Sequence, residues 1–403
     1  MIILYRGFFL KFKMVADINY SWRRILNSPK AAVIIPAIFY LLFIIGRLAF
    51  NNFDISCFID VGGGHAYTNQ VPKGITVRPN YGYDGQFFYR MAISPFSTKD
   101  VEHGIPFFNP AYRHQRIVYP LLAWVLSFGQ LELVPYTMVL VNWLMICTIA
   151  WLATRIVQHE GQPALWGLAF SMYPGFIMSI CRNLSEVTAC CLLLGTILLI
   201  RQGRLLLSGV VLAVAVLARE TTLLLAVGIG MAWLIGIIRG KSSKAVKWYL
   251  WVIPLATFIV WQFILWWIWG QTSFHNSGQV NFGFPLYGFT TCFIRSAHLD
   301  EIKYIVWFVE YCFLIGLTVG CIVSLRKSTA YLHEKLAWIL FLIMILLLTE
   351  YVWKSDMAFL RVTAEFYTLG MLILITGRSW IRRTLAGWAW LIWPVVAVAR
   401  AKY

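Results

Sequence analysis

Long apolar segments, separated by short polar connections, run through most of the 403-residue chain. Many of them reach the roughly 18 residues that suggest a membrane-spanning helix, and a helix satisfies its backbone polar groups internally. The pattern therefore predicts an all-α polytopic membrane protein with about ten spans. These are 31–50, 135–155, 163–181, 184–200, 205–218, 221–238, 248–268, 302–325, 336–353 and 360–377. Two apolar stretches, 117–130 and 387–398, are left over.

Composition agrees with this fold class. The chain is 60% hydrophobic and 13% charged, whereas a soluble chain carries roughly 25% charged residues. Its mean hydropathy is +0.71. Residues 1–30 contain six Lys/Arg and no small-residue cleavage site after a clean apolar core. They are therefore expected to be a basic cytoplasmic leader and not a cleaved signal, followed by one transmembrane domain at 31–403.

The distribution of Lys and Arg predicts the orientation. With the N-terminus inside, the inward connections hold 19 Lys/Arg and three acids, while the outward ones hold 12 and 11. Cytoplasmic loops are enriched in Lys and Arg. The net charge of +17 therefore indicates topology and not nucleic-acid binding. A crossing at 117–130 is not expected, because it would invert every later loop.

Two outward loops are long, 51–116 and 269–301. Loops of more than about 15 residues are usually functional or disordered. The aromatic, Gly and Pro content of the first loop favours a folded one. Each loop has one cysteine, Cys57 and Cys292, and a disulfide between them stays open on sequence alone.

The outer face also collects charges that the topology does not explain. The turns CRNLSE, LARET and WKSDMAFLR each place a cation near an acid at a helix end. Ionisable groups beside a membrane are costly and are usually functional or paired. A shared polar cavity that opens outward is one interpretation. A local ion pair, or a helix cap at Ser185, is the other.

The stretch YGYDGQFFYRMAISPF contains one of these acids, Asp84. The apolar residues after it follow helical spacing, and Pro95 would end the helix. This predicts a helix on the outer leaflet, with its aromatic rings at headgroup depth. Asp84 is placed to be its N-cap, and a cap alone would explain it. Further on, Arg113 and Arg116 lie three residues apart on one face of a second predicted surface helix.

The segments GYDGQFFYRMAISPF and YRHQRIVYPLLAW, with the later LARET, resemble the GT-C superfamily of membrane glycosyltransferases. Within it they look like a bacterial branch with a GYDGQFYY-type first outer loop. The resemblance implies an inner-membrane enzyme that moves a sugar from a polyprenyl-phosphate donor to a glycolipid or cell-surface glycan outside the cell. In GT-C enzymes the first-loop Asp is the proposed general base. By this resemblance, Asp84 is the general base. A carboxyl with a raised pKa in a dry site is suited to accept a proton.

That chemistry needs cations for the lipid-phosphate leaving group, and Arg binds phosphate oxygens in pairs. Some outward cations would be ordinary interfacial side chains. The candidates are Arg113, Arg116, Arg182, Arg219, Lys354 and Arg361. Other polar residues expected to line the cavity are Tyr83, Gln86, Tyr89, Arg90, Glu186, Glu220 and Asp356.

No metal and no cofactor beyond the lipid-linked donor is expected. The histidines show no ligand spacing such as HExxH, there is no DxD, and HLDE at 298–301 comes nearest to an acidic cluster. Two rival functions stay open. A lipid or glycan transporter or flippase would explain the intramembrane acids Glu310, Glu350 and Glu365. A non-catalytic component of surface-polymer export would share the scaffold.

Overall fold

The computed structural model describes residues 27–240, 246–274, 281–298, 301–377 and 379–402. The predicted leader at 1–30 lies almost wholly outside the described residues. Numbered in chain order, the helices are α1 Pro29–Phe50, α2 Gly85–Ile93, α3 Pro110–His114, α4 Val118–Leu126, α5 Val134–His159, α6 Leu168–Ser171, α7 Pro174–Cys181, α8 Glu186–Arg201, α9 Leu205–Ala218, α10 Leu223–Ile238, α11 Tyr249–Trp269, α12 Tyr287–Ala297, α13 Ile302–Ser324, α14 Leu332–Leu346, α15 Glu350–Trp353, α16 Asp356–Val362, α17 Ala364–Ile375 and α18 Ser379–Lys402.

Five helical segments of the described chain are long and apolar enough to cross a membrane: α1, α5, α10 with the turn before it, α11 and α13. The count rises to seven if two bent pairs, α6 with α7 and α16 with α17, each form one span. All ten predicted spans fall on helices. However, α8, α9 and α14 have only 16, 14 and 15 residues, fewer than the roughly 20 that span a bilayer. A count of ten is therefore not confirmed.

The two apolar stretches outside the ten predicted spans, 117–130 and 387–398, lie in helices of very different length. α4 has nine residues and is about 14 Å long, too short to cross a hydrocarbon core of roughly 30 Å. It packs against α2 and α5. The second stretch, 387–398, lies within the 24-residue α18, which packs along α1, α7 and α13. Near the end of α18, Arg400 binds both carboxylate oxygens of Asp356 at 2.5 Å.

The long loop at 51–116 is folded, as its aromatic, Gly and Pro content predicts. Two short strand pairs shape it: Val61–Gly62 runs parallel to Val77–Arg78, and Val101–Glu102 runs antiparallel to Ile105–Pro106. The helix α2 is buried along its whole length. The predicted surface helix with rings at headgroup depth is therefore wrong. Its aromatic side chains instead form the core of the loop.

That core explains the position of α2. Phe88 packs edge-on against Tyr119, with ring centres 5.8 Å apart. At the start of the helix, a side chain on Gly85 would place its Cβ 2.2 Å from the carbonyl oxygen of Arg182. The absence of a side chain at Gly85 therefore lets α2 begin directly against the turn that follows α7.

The polar connections at the other end of the bundle also converge. Arg201, in the last turn of α8, binds Glu334 at 2.9 Å and also pairs with Glu160. Arg201 and Glu334 are almost fully buried. Glu160 also accepts a hydrogen bond from Thr329. Arg201 therefore joins three connections at this end of the bundle.

Candidate active site

Asp84 occupies the N-cap position of α2, but its side chain makes no capping hydrogen bond. Its carboxylate binds two arginines instead. Oδ1 accepts a hydrogen bond from Nη1 of Arg113 at 2.8 Å, and Oδ2 lies 3.3 Å from Nη1 and Nη2 of Arg361. These partners are 29 and 277 residues away in sequence. A cap alone therefore does not account for Asp84.

Aromatic rings hold both guanidinium groups. Arg113 lies 3.5 Å above the centre of the Phe87 ring, and Arg361 lies 5.3 Å from that of Tyr83. The attraction of a cation to a ring face adds to the ion pairs. The Asp84 side chain remains 33% exposed, whereas Arg361 is 12% exposed. The carboxylate of Asp84 is thus accessible from solvent, whereas Arg361 is mostly buried next to the ring of Tyr83.

Arg361 also begins a row of alternating charges that leads into the bundle. Its Nε lies 3.3 Å from Oε1 of Glu186, and the same oxygen lies 3.7 Å from Nη2 of Arg219. Arg219 then donates through Nη1 to Glu365 at 2.7 Å. The last three residues of the row are almost fully buried. The row, in order, is Asp84, Arg361, Glu186, Arg219 and Glu365.

A second pair flanks the site. Arg116 donates to both carboxylate oxygens of Glu220, at 2.9 and 2.5 Å, and to the hydroxyl of Tyr112 at 3.3 Å. Burial would lower the pKa of Arg116, but attraction to Glu220 outweighs it and raises this pKa well above its ordinary value. Arg116 is thus held as a cation. A cleft lies between this pair and the Asp84 pair; its wall consists of Asp84, Phe87, Phe88, Met91, Tyr112, Arg113 and Arg116.

The pKa of Asp84 lies well below its ordinary value. Burial would raise this pKa, but the charges of Arg113 and Arg361 outweigh burial, and Arg116 lowers it further. The raised pKa expected for this acid is therefore wrong, because the arginines face the carboxylate itself. At neutral pH Asp84 is an ionised carboxylate.

Three of the predicted cavity residues belong to the folded loop instead. Gln86 accepts a hydrogen bond from the backbone N–H of Gly62 and donates to the Tyr81 carbonyl. Tyr89 is buried in the loop core, and Arg90 donates to the carbonyl oxygens of Ile105 and Lys99. None of the three lines the cleft at Asp84, because successive residues on a helix face different directions.

Three other candidates have different partners. Arg182 lies 3.3 Å from a carboxylate oxygen of Asp60, and its guanidinium is 5.9 Å from the ring centre of Tyr83. It therefore lies beside the row of charges. Lys354 lies over the ring of Tyr351, and Asp356 pairs with Arg400. Neither of these two is in contact with Asp84.

Glu365 belongs to the site although the sequence predicts only an intramembrane acid at this position. A signal was present, because Arg361 and Glu365 are four residues apart and such residues share a helix face. The chain bends by 48° between α16 and α17, and Glu365 instead binds Arg219 and accepts a hydrogen bond from Thr221. Of the other two acids, Glu350 forms an exposed pair with Arg295.

The described residues contain no group of three His, Cys, Asp or Glu side chains that could hold a metal ion. Part of the HLDE segment at 298–301 lies outside them. Cys57 and Cys292 are both free thiols, so the disulfide that the sequence left open is not formed.

Comparisons with known proteins complete the description. No protein-family model matches the chain, and no curated protein matches it. Among solved structures, the chain is similar to the crystal structure of the Archaeoglobus fulgidus oligosaccharyltransferase tethered with an acceptor peptide. The TM-score is 0.45 and the identity 13%, over 93% of this chain and 55% of that one. The chain thus spans about half the length of that enzyme, and a similarity of this size leaves its family and activity to be argued from its own residues.

Proposed function

We propose that this chain is an integral membrane glycosyltransferase with its active site on the extracytoplasmic face of a bacterial inner membrane. It moves a sugar from a polyprenyl-phosphate donor to a hydroxyl of a glycolipid or cell-surface glycan. The observation that carries the proposal is the carboxylate of Asp84, partly open to solvent and held between Arg113 and Arg361. Its position in a chain of long apolar helices favours a donor that is itself a lipid.

The reaction follows from those groups. The acceptor oxygen forms a bond to the anomeric carbon of the donor sugar, and its proton moves to the carboxylate of Asp84. The bond between that carbon and the phosphate oxygen breaks, and the lipid phosphate leaves with the electron pair. Arg113 and Arg361 stabilise the negative charge that develops on the leaving phosphate. Attack from the face opposite the leaving group inverts the anomeric centre.

The low pKa of Asp84 fits this role once the donor is present. A carboxylate that faces two arginines is a weak base. A donor phosphate competes for the same guanidinium groups, because arginine forms paired hydrogen bonds to phosphate. When Arg113 and Arg361 turn to the phosphate, the Asp84 carboxylate loses part of their charge and its pKa rises. Donor binding therefore activates the base.

Reconstituted protein supplied with radiolabelled polyprenyl-phosphate sugars and a membrane glycolipid extract tests the proposal. Asp84→Asn is expected to abolish transfer of the label while the protein stays folded. Asp100→Asn, an exposed acid of the same loop, is the matched control and is expected to transfer normally. Full activity of D84N would contradict the base assignment. Movement of intact labelled donor across the bilayer without transfer would favour the transporter.

A further inference from the structure

A second cavity, separate from the cleft at Asp84, lies between α12, the first turns of α13 and the connection from α15 to α16. Its volume is about 290 Å³. None of its lining residues lines the Asp84 cleft. Three of them are cations and three are aromatic: Arg295, Lys303, Lys354, Tyr304, Trp307 and Tyr311.

The cations of this cavity are available to a ligand. Arg295 pairs with Glu350 at 2.8 Å, and Lys303 pairs with Glu301 at 2.7 Å. All four of these side chains are more than one third exposed, and exposed ion pairs of this kind are weak. An anionic ligand can therefore replace the carboxylates as the partner of both cations.

Lys354 has the fewest competing contacts. Within the described ranges, no carboxylate oxygen lies within 4 Å of its ammonium group, and its closest ring contact is with Tyr351 at 4.5 Å. The side chain is exposed and lines the cavity. It therefore adds a cation that forms no ion pair with Glu301 or Glu350.

Exposed apolar residues lie next in sequence to the lining residues, on the two helices that form the cavity. Ile294 of α12 is 56% exposed, and Ile302 and Ile305 at the start of α13 are 79% and 54% exposed. The helix α13 is one of the candidate membrane spans. Trp and Tyr rings are enriched at headgroup depth, as Trp307 and Tyr304 would be here. The cations and rings suit the headgroup of a lipid, and the exposed apolar residues suit its acyl chains.

We propose that this cavity binds the headgroup of an anionic phospholipid of the surrounding bilayer. The phosphate lies among Arg295, Lys303 and Lys354, where it forms charge-assisted hydrogen bonds. The positive end of the α13 dipole adds a favourable field for an anion. The acyl chains lie against the exposed isoleucines. This site is distinct from the proposed donor site and does not depend on the proposed function.

The full-length protein, purified with excess phosphatidylglycerol or phosphatidylcholine and analysed by native mass spectrometry, tests the site. We expect phosphatidylglycerol to be retained preferentially. The double variant Arg295→Gln/Lys354→Gln is expected to lower that retention about tenfold. The control is Lys327→Gln, an exposed lysine just beyond the other end of α13, which is expected to retain the lipid. Equal retention of both lipids by the wild type would overturn the proposal.

Cross-linking of the wild type gives a result that does not depend on how a variant folds. A photoactivatable phosphatidylglycerol in nanodiscs is expected to label segments 287–311 and 351–354. Label only elsewhere would overturn the assignment. Millimolar inorganic phosphate that displaced the lipid completely would identify a soluble anion as the occupant. Labelling by a photoactivatable glycan acceptor but not by the lipid would identify a glycan site. Both results would contradict a lipid site.

Discussion

The guanidinium of Arg361 lies 3.3 Å from the carboxylate of Asp84, although 277 residues separate them. Asp84 directly precedes α2, and Arg361 lies in the last turn of α16. The other side of Arg361 faces the buried Glu186. One arginine therefore connects the solvent-facing acid to the row of charges inside the bundle.

Arg113 tests the role of the arginines in donor binding. Arg113→Lys keeps the charge but loses the paired donor geometry. Loss of a charge-assisted hydrogen bond costs about 1.5–3 kcal/mol, so we expect kcat/KM for the donor to fall about ten- to hundredfold. Steady-state transfer assays measure this. Arg155→Lys, at an exposed position of α5, is the control. Equal kinetics of R113K and the wild type would remove Arg113 from the donor site.

The pH dependence tests the state of Asp84. Because the pKa of Asp84 is depressed in the free protein, kcat/KM should show no acid limb from this group between about pH 5 and 7. The buried His114, whose pKa burial lowers to about 4, should add none there either. An acid limb near pH 6 that disappeared in Asp84→Glu would contradict the depressed pKa.

The same shift has a consequence for stability. A carboxyl whose folded-state pKa is depressed stabilises the fold above its unfolded-state pKa of about 3.9. That contribution is lost as the pH falls toward the folded-state pKa. Asp84→Asn should therefore reduce the change in Tm between about pH 5 and 3, compared with the wild type. An unchanged slope would show that the ion pairs with Arg113 and Arg361 do not stabilise the fold.

Arg219 is expected to hold the buried part of the row. Arg219→Met leaves the buried Glu365 without its cation and Glu186 with Arg361 alone. Breaking a buried ion pair from one side costs about 3–5 kcal/mol. Denaturant unfolding in detergent should show this loss, and Arg219→Met/Glu365→Leu should recover much of it, because the two sites are coupled. Additive losses would indicate that Arg219 and Glu365 act independently.

Arg201, at the other end of α8, provides a comparison. Arg201→Met leaves the fully buried Glu334 without its cation, so we expect a similar loss of about 3–5 kcal/mol. The transfer rate per folded molecule should not change, because Arg201 lies a whole helix away from Glu186. Active-site titration together with unfolding measures both quantities. A lower rate per folded molecule would show that the two ends of the bundle are coupled.

Gly85 tests how closely α2 approaches the turn after α7. In Gly85→Ala the new Cβ would lie 2.2 Å from the Arg182 carbonyl oxygen and 2.7 Å from that of Ile59, so the backbone must move. Such crowding costs about 1–3 kcal/mol and should displace Asp84, with a loss of activity in the same variant. Gly46→Ala in α1 meets no atom within 4 Å and is the control. Normal activity of G85A would show that the position of Asp84 tolerates this shift.

The helices were largely predictable, because apolar run length indicates them directly. The meeting of Asp84 with Arg113 and Arg361 was also anticipated, since all three lie in turns assigned to one face. An assignment to one face does not predict which turns meet on it, and Lys354, also assigned to that face, does not contact Asp84. Helical spacing predicts an apolar face on α2. It does not predict whether the membrane or the rest of the loop covers that face. The pKa direction of Asp84 depends on guanidinium distances that no sequence pattern contains.

If the proposed function is correct, Asp84 and its two arginines hold a lipid-linked sugar. A cryo-EM structure with a non-transferable polyprenyl-phosphonate sugar tests this. We expect phosphonate oxygens within about 3 Å of the guanidinium nitrogens of Arg113 and Arg361, and Asp84 within reach of an acceptor oxygen beside the anomeric carbon. A headgroup bound elsewhere, with both arginines still on Asp84, would contradict it.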